Sequence, residues 1–386
     1  MRTAAAAPLY GAGFVTAFGA HAVASTAGAE SAGGAPSVLL QLGVLVAAYD
    51  LAEVLLKPVF GALADRVGPK HVILWGLVAF AAVSALGALL PGMTALIVIR
   101  FGQGAAAAAF SPAASAAVGR LATPAARGRY FGRYGSWKSL GYASGPLVGA
   151  VLAATGGQAL LQGVLALLGA AAAVWIAARC PVLDPLPKRR STLLEVVRRS
   201  TSWSFAQPVL VLAASAGALV AAVAFLPAAA GAGTSTHAAA AIASVLALTS
   251  SVVQPLAGRL LDRGRLGFRV AAPLALATCS AGVLLAAAAA AAYPLIVGGA
   301  VLIGAGVGLA TPVAFATLAA RSPDAELGRT MGAAEMGREL GDAGAPALVG
   351  LVAGAGGLPA GLAALGVAFA LATAAALTPS GRPTGR

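Results

Sequence analysis

The chain of 386 residues is 59% hydrophobic and only 10% charged, and its mean hydropathy of +0.89 lies far outside the soluble range. A water-soluble fold of this length cannot bury so much apolar surface, so the composition predicts an integral membrane protein. The formal net charge of +13 does not indicate nucleic-acid binding, because almost all of the 25 Lys and Arg fall in tails, in alternate loops or at helix ends beside them.

Apolar runs of the length that crosses a bilayer, about 20 residues, predict twelve membrane-spanning helices. The predicted spans are 5–25, 38–62, 71–90, 94–118, 134–155, 158–179, 204–229, 237–257, 270–290, 294–318, 330–352 and 356–377. The first run is open to a second interpretation, a cleaved signal peptide, since Arg2 precedes it and Ala-rich sites follow. Cleavage would leave eleven spans.

The loops predict the orientation of these spans. Lys and Arg occupy the connections after the second, fourth, sixth, eighth and tenth spans, whereas the other connections carry none. The positive-inside rule then places both termini in the cytoplasm and the protein in the inner (plasma) membrane. The connector 181–203 is cytoplasmic, and its Leu193, Leu194, Val196 and Val197 predict an interfacial helix within it.

Two segments of the chain recur at nearly the same spacing. Gly61, Asp65 and Arg66 recur 197 residues later as Gly258, Asp262 and Arg263. The stretch Gly128–Pro146 matches Gly328–Pro346 at an offset of 200. The sequence therefore predicts two pseudo-symmetric six-helix bundles, 1–180 and 204–386, which are typical of secondary transporters.

Nine charged side chains lie within the predicted spans rather than at their ends. A charge at the bilayer centre costs at least ~2.5–3.5 kcal/mol, so each needs a structural or functional reason. Five are acidic and four basic, and the excess carboxylate is a natural proton carrier. Structural ion pairs that never titrate are the alternative, and both are open at this stage. The nine are Asp50, Glu53, Lys57, Arg100, Lys138, Glu335, Arg338, Glu339 and Asp342.

Three motifs resemble the major facilitator superfamily, and the fifth-span motif resembles its drug/proton antiporters. The loop after the second span resembles the superfamily's loop motif, although Pro69 stands where a basic residue is common. The fourth span resembles an Arg-x-x-Gln-Gly motif of proton-coupled members. The fifth resembles the antiporter pattern and departs from it only at Ala150. The matching residues are Gly61, Leu63, Asp65, Arg66, Gly68 and Lys70, then Arg100, Gln103 and Gly104, then Gly132, Gly141, Gly145, Pro146 and Gly149.

The resemblance implies roles for these motifs. It implies that Asp65 clamps the two halves on the cytoplasmic side, with Arg66 and Lys70 pairing nearby acids; a role in topology alone is the alternative for the two cations. It also implies that the second and eleventh spans lie together, so that their charged faces meet across a central cavity. Gly141, Gly145 and Pro146 allow close packing of the fifth span, with or without a gating role.

These observations predict a proton-coupled transporter that exports small amphipathic or lipophilic compounds by alternating access. It is predicted to be a monomer in the lipid bilayer, without a cofactor, a metal or nucleic acid, and not an enzyme. Predicted proton-coupling residues are Asp50, Glu53, Arg100, Glu339 and Asp342. Predicted substrate-cavity residues are Lys57, Gln103, Lys138, Tyr142, Glu335 and Arg338. Predicted gating and interdomain residues are Gly61, Asp65, Arg66, Lys70, Gly141, Gly145, Pro146, Asp262 and Arg263.

A second hypothesis is a symporter or exchanger of a polar or anionic metabolite. Cations within the spans would then form an anion pocket, at Lys57, Arg100, Lys138 and Arg338. The sequence does not favour a membrane-embedded enzyme or sensor, because it has neither metal-ligand spacing nor a nucleotide-binding loop.

Overall fold

The computed structural model describes residues 2–29, 36–185, 202–231, 234–289 and 292–378, and these are almost entirely helical. The first four helices are α1 (Arg2–Ala29), α2 (Pro36–Val67), α3 (Pro69–Leu89) and α4 (Met93–Leu121). A 3₁₀ turn, Pro124–Ala126, leads into the helical run Arg127–Arg179, which contains two helices, α5 and α6, divided at a kink described below. Most of the connector, with its predicted interfacial helix, lies outside the described residues.

The second half repeats this order. Its helices are α7 (Trp203–Ala229), α8 (Thr236–Asp262), α9 (Phe268–Ala288) and α10 (Tyr293–Arg321). A 3₁₀ turn, Asp324–Glu326, then leads into the helical run Leu327–Leu377. The same sequence of elements on both sides of the connector follows the predicted duplication.

Glycines divide each of the two long runs into a pair of helices. Gly157 has φ 66° and ψ −170°, and Gly357 has φ 80° and ψ 167°, so both occupy a region that L side chains rarely adopt. The first run therefore comprises α5 (127–155) and α6 (158–179), and the second α11 (327–356) and α12 (358–377). With these divisions the described chain contains twelve α-helices and no strand, and the predicted all-α membrane fold is confirmed.

Eight helical segments of the described chain are long and apolar enough to cross a membrane, with each kinked run counted once. Neither α1 nor α2 is among them. In α2 the described part carries Asp50, Glu53 and Lys57 within eight positions, which lowers its hydropathy. The three charged residues predicted to lie within the second span are therefore on α2.

Most helices begin one to three residues before the apolar runs that predicted them, and α5 begins seven residues before its run. The α5 helix starts at Arg127, and α11 starts at Leu327, whereas the predicted spans start at 134 and 330. Apolar runs mark only the part of a helix that lies in lipid, and a helix continues into water when its first N–H groups have acceptors. The acceptors in this protein are side chains of α2 and α8, described below.

The described chain forms two compact units. The first comprises Met1–Ala122, Trp137–Pro187 and Ser322–Met336; the second comprises Thr123–Ser136, Lys188–Arg321 and Gly337–Arg386. Close helix contacts at small residues hold each unit: an added Cβ on Gly76 would lie 3.0 Å from the Ala106 carbonyl oxygen in the first, and one on Gly282 2.7 Å from the Gly299 carbonyl oxygen in the second. The bundle boundaries at 180 and 204 stay a prediction.

Candidate functional site

Asp65, near the end of α2, caps the first turn of α11 within the first unit. Its Oδ1 accepts a hydrogen bond from the Gly328 N–H at 2.7 Å, and its Oδ2 accepts one from the Arg329 N–H at 2.9 Å. The first N–H groups of a helix have no partner in their own helix, and the helix dipole favours an anion there. Asp65 therefore supplies the acceptors for two N–H groups at the start of α11; its role as a clamp stays a prediction.

This carboxylate is buried, and it follows the apolar run 38–62 that the sequence predicts to cross the membrane. The 32 residues of α2 are about 48 Å long at 1.5 Å per residue, which exceeds the ~30 Å hydrocarbon layer. Burial raises the pKa of the Asp65 carboxyl, and the hydrogen bonds from the Arg329 and Gly328 N–H groups offset only part of the rise. The charges of Arg120 and Arg329 also act to lower this pKa.

Asp262 makes the equivalent contact within the second unit, at the end of α8. Its Oδ1 accepts from the Gly128 N–H at 2.8 Å, and its Oδ2 accepts from the Arg129 N–H at 3.0 Å. The Arg129 Nε also donates to Oδ2, at 2.9 Å. The second copy of the sequence motif thus makes the same contact as the first, with α8 in place of α2 and α5 in place of α11.

Glycines let the helices approach closely enough for these two contacts. A Cβ added to Gly61 would collide with the carbonyl oxygen of Gly328, and one added to Gly258 would collide with that of Gly128. A larger residue at Gly61 or Gly258 would therefore move α11 or α5 away from the capping carboxylate. This close approach of the two backbones explains why glycine occupies both Gly61 and the equivalent position, Gly258, of the second motif.

The cations of the loop motif lie on either side of the contact. Arg66 and Arg263 are exposed. The Lys70 Nζ donates to the carbonyl oxygens of Ala177, at 3.0 Å, and Cys180, at 2.7 Å. These partners at the end of α6 are main-chain carbonyls, where the resemblance implied an acid. Burial raises the pKa of the Cys180 thiol to about 11, although the Lys70 charge acts to lower it.

The charged stripe of α2 contains a buried ion pair. The Lys57 Nζ lies 3.1 Å from the Glu53 Oε2, and both side chains are at most 4% exposed. Asp50, one turn earlier, is half-buried. Asp50 and Glu53 also act electrostatically on Arg100 of α4. Three of the predicted proton-coupling residues therefore lie together in the first unit.

Arg100 is 1% exposed, and its guanidinium is held by main-chain oxygens and an aromatic ring. It donates to the carbonyl oxygens of Gly19 at 3.2 Å and Ala20 at 3.1 Å, both in α1. Its Cζ lies 4.2 Å from the centroid of the Tyr49 ring of α2. Tyr49 was not predicted to be a site residue from the sequence, although it directly precedes Asp50.

Gln103 lies in a buried polar network between helices. Its Nε2 donates to the Ser84 Oγ and to the Gln162 Oε1, both at 2.8 Å, and its Oε1 accepts from Arg100 at 3.4 Å. The side chain is completely buried and cross-links α4 to α3 and α6. The sequence predicted a cavity-lining role for Gln103. The sequence did not predict Ser84 and Gln162 as its partners. The only indication in the sequence was that each is a polar residue within an apolar run.

A second buried ion pair joins α5 to the start of α11 within the first unit. The Lys138 Nζ lies 3.2 Å from the Glu335 Oε2, and the Glu335 side chain is completely buried. The Ser115 Oγ of α4 donates to the Glu335 Oε1 at 2.8 Å. The sequence predicted Lys138 and Glu335 as cavity residues but did not predict that they pair, because the two are 197 positions apart.

The remaining charges of α11 belong to the second unit. The Arg338 Nη2 lies 3.7 Å from the Asp342 Oδ2, with side chains 7% and 14% exposed. Glu339 is buried. That the charged faces of α2 and α11 meet in one chamber stays a prediction.

The glycines of α5 pack against α1 in the first unit. A Cβ on Gly141 would lie 2.6 Å from the Phe14 carbonyl oxygen, and one on Gly145 would lie 2.9 Å from that of Phe18. The Tyr142 ring contacts the His21 ring edge-on, with centroids 4.5 Å apart. Pro146 is half-buried in the same helix. The predicted close packing is present; the gating role of this helix stays a prediction.

The family model of the Major Facilitator Superfamily matches residues 9–287 and 208–386. The chain belongs to this superfamily. At the family level its members are transporters rather than enzymes; they bind small-molecule substrates and usually use ion gradients. The superfamily assignment agrees with the resemblance of the loop and helix motifs.

Curated relatives match parts of the chain. The puromycin resistance protein pur8 of Streptomyces alboniger is 37% identical over 125 residues, which cover 30% of this chain and 25% of that protein. The multidrug resistance protein MdtG of Proteus mirabilis is 34% identical over 130 residues, covering 33% of this chain and 32% of that protein. The chain therefore spans less than a third of the length of each of these relatives.

Solved structures match nearly the whole chain. The human organic anion transporter MFSD10 (TETRAN) aligns with a TM-score of 0.83 at 18% identity and covers 97% of this chain and 99% of that one. The E. coli fucose:proton symporter FucP aligns with a TM-score of 0.75 at 16% identity and covers 97% of each chain. At these identities the likeness establishes the fold alone, which is the major facilitator fold.

Proposed function

We propose that this superfamily member is a proton-coupled secondary transporter that exports small amphipathic or lipophilic compounds by alternating access. It works as a monomer in the inner (plasma) membrane, with both termini in the cytoplasm. The observation that carries the proposal is a set of carboxylates within the spans, two buried and one half-buried, each beside a cation: Glu53 with Lys57, Glu335 with Lys138, and the half-buried Asp342 with Arg338.

Such pairs supply what proton coupling requires. A cation beside a buried carboxylate favours its ionised form, and burial without the cation favours its protonated form. A conformational change that separates or hydrates a pair therefore changes the affinity of the carboxylate for a proton. Asp50, Glu53, Glu339 and Asp342 carry the proton, and Arg100 sets the affinity of the first two from α4.

The remaining residues divide between the substrate and the conformational change. Substrate contacts come from Lys57, Gln103, Lys138, Tyr142, Glu335 and Arg338. The caps at Asp65 and Asp262, with Gly61, Arg66, Lys70 and Arg263 beside them, open and close as the transporter changes state. Gly141, Gly145 and Pro146 let α5 adjust against α1 during this change.

The direction and substrate class rest on the curated relatives. Those described above are named for resistance to puromycin and to multiple drugs, and export of the toxic compound is a way in which a transporter confers resistance. Export of lipophilic compounds also agrees with the fifth-span glycine pattern.

The test is transport in liposomes that hold the purified full-length protein and a pH-sensitive dye. We expect an imposed proton gradient to drive lipophilic-cation transport in the parent protein. Asp50→Asn and Asp342→Asn should each abolish it, while the protein inserts and folds normally. Asp184→Asn, which changes an exposed loop carboxylate, is the matched control and should transport like the parent. Undiminished proton-driven transport in both intramembrane variants would reject the assignment.

The alternative function, a symporter or exchanger of a polar or anionic metabolite, predicts a different substrate preference in a counterflow assay. Organic acids, rather than hydrophobic cations, would then exchange with the labelled substrate. The geometry favours the exporter, because three of the four cations of that hypothesis, Lys57, Lys138 and Arg338, each have a carboxylate within 4 Å, and an anion site needs uncompensated positive charge. The fourth, Arg100, donates to main-chain carbonyl oxygens of α1.

A further inference from the structure

Two helix contacts, one in each unit, have the same backbone arrangement. In the first unit, a Cβ added to Gly332 of α11 would lie 2.6 Å from the Lys57 carbonyl oxygen of α2. In the second unit, a Cβ added to Gly132 of α5 would lie 2.5 Å from the Gln254 carbonyl oxygen of α8. The sequence duplication makes Lys57 equivalent to Gln254, so the two contacts can be compared residue by residue.

A pair of side chains one helical turn apart occupies the same place in both contacts. In α2, the Lys57 Nζ lies 3.1 Å from the Glu53 Oε2. In α8, the equivalent residues are Gln254 and Ser250, and the Gln254 Nε2 donates to the Ser250 Oγ at 3.1 Å. All four residues are at most 3% exposed. The pair is therefore charged in the first unit and neutral in the second.

The neutral copy shows that this arrangement of helices does not require a charged pair. Burial of two charges has a desolvation cost that a hydroxyl and an amide largely avoid. The Lys57–Glu53 ion pair also joins two residues of one helix, whereas the Lys138–Glu335 pair joins α5 to α11. A charged pair that costs more than its neutral copy, and does not itself connect two helices, needs a functional reason.

The charged groups around this pair come from several helices. Asp50 lies one turn before it on α2, and Arg100 of α4 interacts electrostatically with Asp50 and Glu53. On α11, Glu335 lies one turn beyond the glycine that packs against α2, and its partner is Lys138 of α5. These surrounding groups are two acids and two bases, so their formal charges balance. The protonation state of the pair then decides the formal charge of the cluster.

We propose that the proton of the transport cycle binds at the Glu53–Lys57 pair, and that the equivalent Ser250–Gln254 pair takes no part in coupling. The inference rests on the proposed function, proton-coupled export, and names the site of the proton within it. The proton adds to the Glu53 carboxylate, the ion pair breaks, and the Lys57 ammonium keeps its charge. Lys57 is a positioning residue, because its charge sets the pH at which Glu53 takes up the proton.

This step accounts for exchange of a lipophilic cation against a proton. Protonation of Glu53 changes the charge of the pair from zero to plus one, which disfavours a cation bound in the same unit. Loss of the proton restores the neutral ion pair and favours the cation. Ser250 and Gln254 have no group that titrates near neutral pH, so their contact does not change with the proton.

The experiment measures proton release when substrate binds. The purified full-length protein, in weakly buffered detergent solution with a pH-sensitive dye, is mixed with tetraphenylphosphonium at a series of pH values. The parent should release about one proton per molecule at the pH of maximal release, since one carboxylate loses its proton. The variant Glu53→Ser/Lys57→Gln, which copies the α8 pair, should bind tetraphenylphosphonium and carry it in counterflow without releasing a proton.

Two further sets of variants test the pair. Ser250→Ala/Gln254→Met changes the neutral pair and is the matched control, which should release as many protons as the parent. Lys57→Gln should raise the pH of half-maximal release by about 1–3 units, the usual effect of removing a cation from beside a carboxylate. Lys57→Arg should restore the parent value. A purely structural role for Lys57 would lower stability and leave this pH unchanged.

The outcomes separate this inference from the proposed function. Absence of proton release and of proton-driven transport in the parent would overturn the proposed function, and this inference with it. Release by the parent and equally by Glu53→Ser/Lys57→Gln would overturn the inference alone and place the proton on another carboxylate. Loss of release in the Ser250→Ala/Gln254→Met control would overturn the assignment to one pair. If Glu53→Ser/Lys57→Gln does not fold, an unchanged pH of half-maximal release in Lys57→Gln would still overturn the inference.

Discussion

A single carboxylate at the end of α2 satisfies two main-chain N–H groups of another helix, and Asp262 repeats this contact at the end of α8. A buried N–H without an acceptor costs about 1–3 kcal/mol. Each aspartate therefore supplies the acceptors for the start of a second helix, and each follows an apolar run that the sequence predicts to cross the membrane.

Asp65→Ala should lower the thermal unfolding midpoint in detergent, because it leaves the Gly328 and Arg329 N–H groups without an acceptor. The expected loss is about 1–2 kcal/mol, as for removal of a helix N-cap. Asp65→Asn keeps one acceptor oxygen and avoids burial of a charge, so it should lose less. Asp184→Ala, at an exposed carboxylate, is the control. Equal midpoints for Asp65→Ala and the parent would show that the cap does not contribute to stability.

The Lys138–Glu335 pair permits a separate test. Glu335→Gln leaves the Lys138 charge buried without its carboxylate and should destabilise the protein by about 3–5 kcal/mol, the usual cost of breaking a buried pair. The double variant Lys138→Met/Glu335→Leu removes both charges and should recover most of this loss. Ser115→Ala removes only the hydrogen bond and should cost about 1 kcal/mol. Thermal unfolding of the three purified proteins measures these differences. A double variant no more stable than the single one would contradict the expected coupling.

At the scale of helices, small residues determine which elements can touch. Gly141 places α5 against α1, and its counterpart Gly341 places α11 against α7, where an added Cβ would collide with the Ala213 carbonyl. Within the membrane such contacts replace the hydrophobic driving force that assembles helices in water. The spacing of glycines therefore specifies helix neighbours that hydropathy does not.

Gly341 and Gly344 offer a matched pair on one helix. Gly341→Ala should destabilise the second unit, because the new Cβ meets backbone of α7 that can move only with its helix. A Cβ added to Gly344 would have open space around it. Gly344→Ala should therefore be neutral, or should stabilise the protein by up to about 1 kcal/mol because alanine has the higher helix propensity. Thermal unfolding and the yield of monodisperse protein compare the two. Similar losses for both would mean that backbone flexibility, not contact, is what these glycines provide.

For the whole molecule, the charge distribution predicts that the basic turns face the cytoplasm. In a background with Cys180→Ala and Cys279→Ala, a cysteine at exposed Arg265 should react with a membrane-impermeant maleimide from the cytoplasmic side. One at exposed Pro91 should react only from the opposite side. Labelling of right-side-out and inverted vesicles measures this, and reaction of both positions from one side would reject the topology.

Hydropathy, loop charge and the duplicated motifs were enough to predict twelve helices and the membrane setting, and the resemblance of three motifs predicted the superfamily. These properties depend on sequence-local physics: the length of an apolar run, the cost of a charge in lipid, and the recurrence of a motif at a fixed spacing. The early starts of α5 and α11 were not predictable from hydropathy, because their capping carboxylates are distant in sequence.

The sequence alone thus determined which segments are apolar enough to be predicted as membrane spans and which charged residues lie within them. Only the tertiary structure decided the partners: Glu335 with Lys138 and Ser115, Gln103 with Ser84 and Gln162. The physical reason is that a buried charge or amide must find a partner, but the sequence does not specify which of several candidates the helix packing brings within hydrogen-bonding distance.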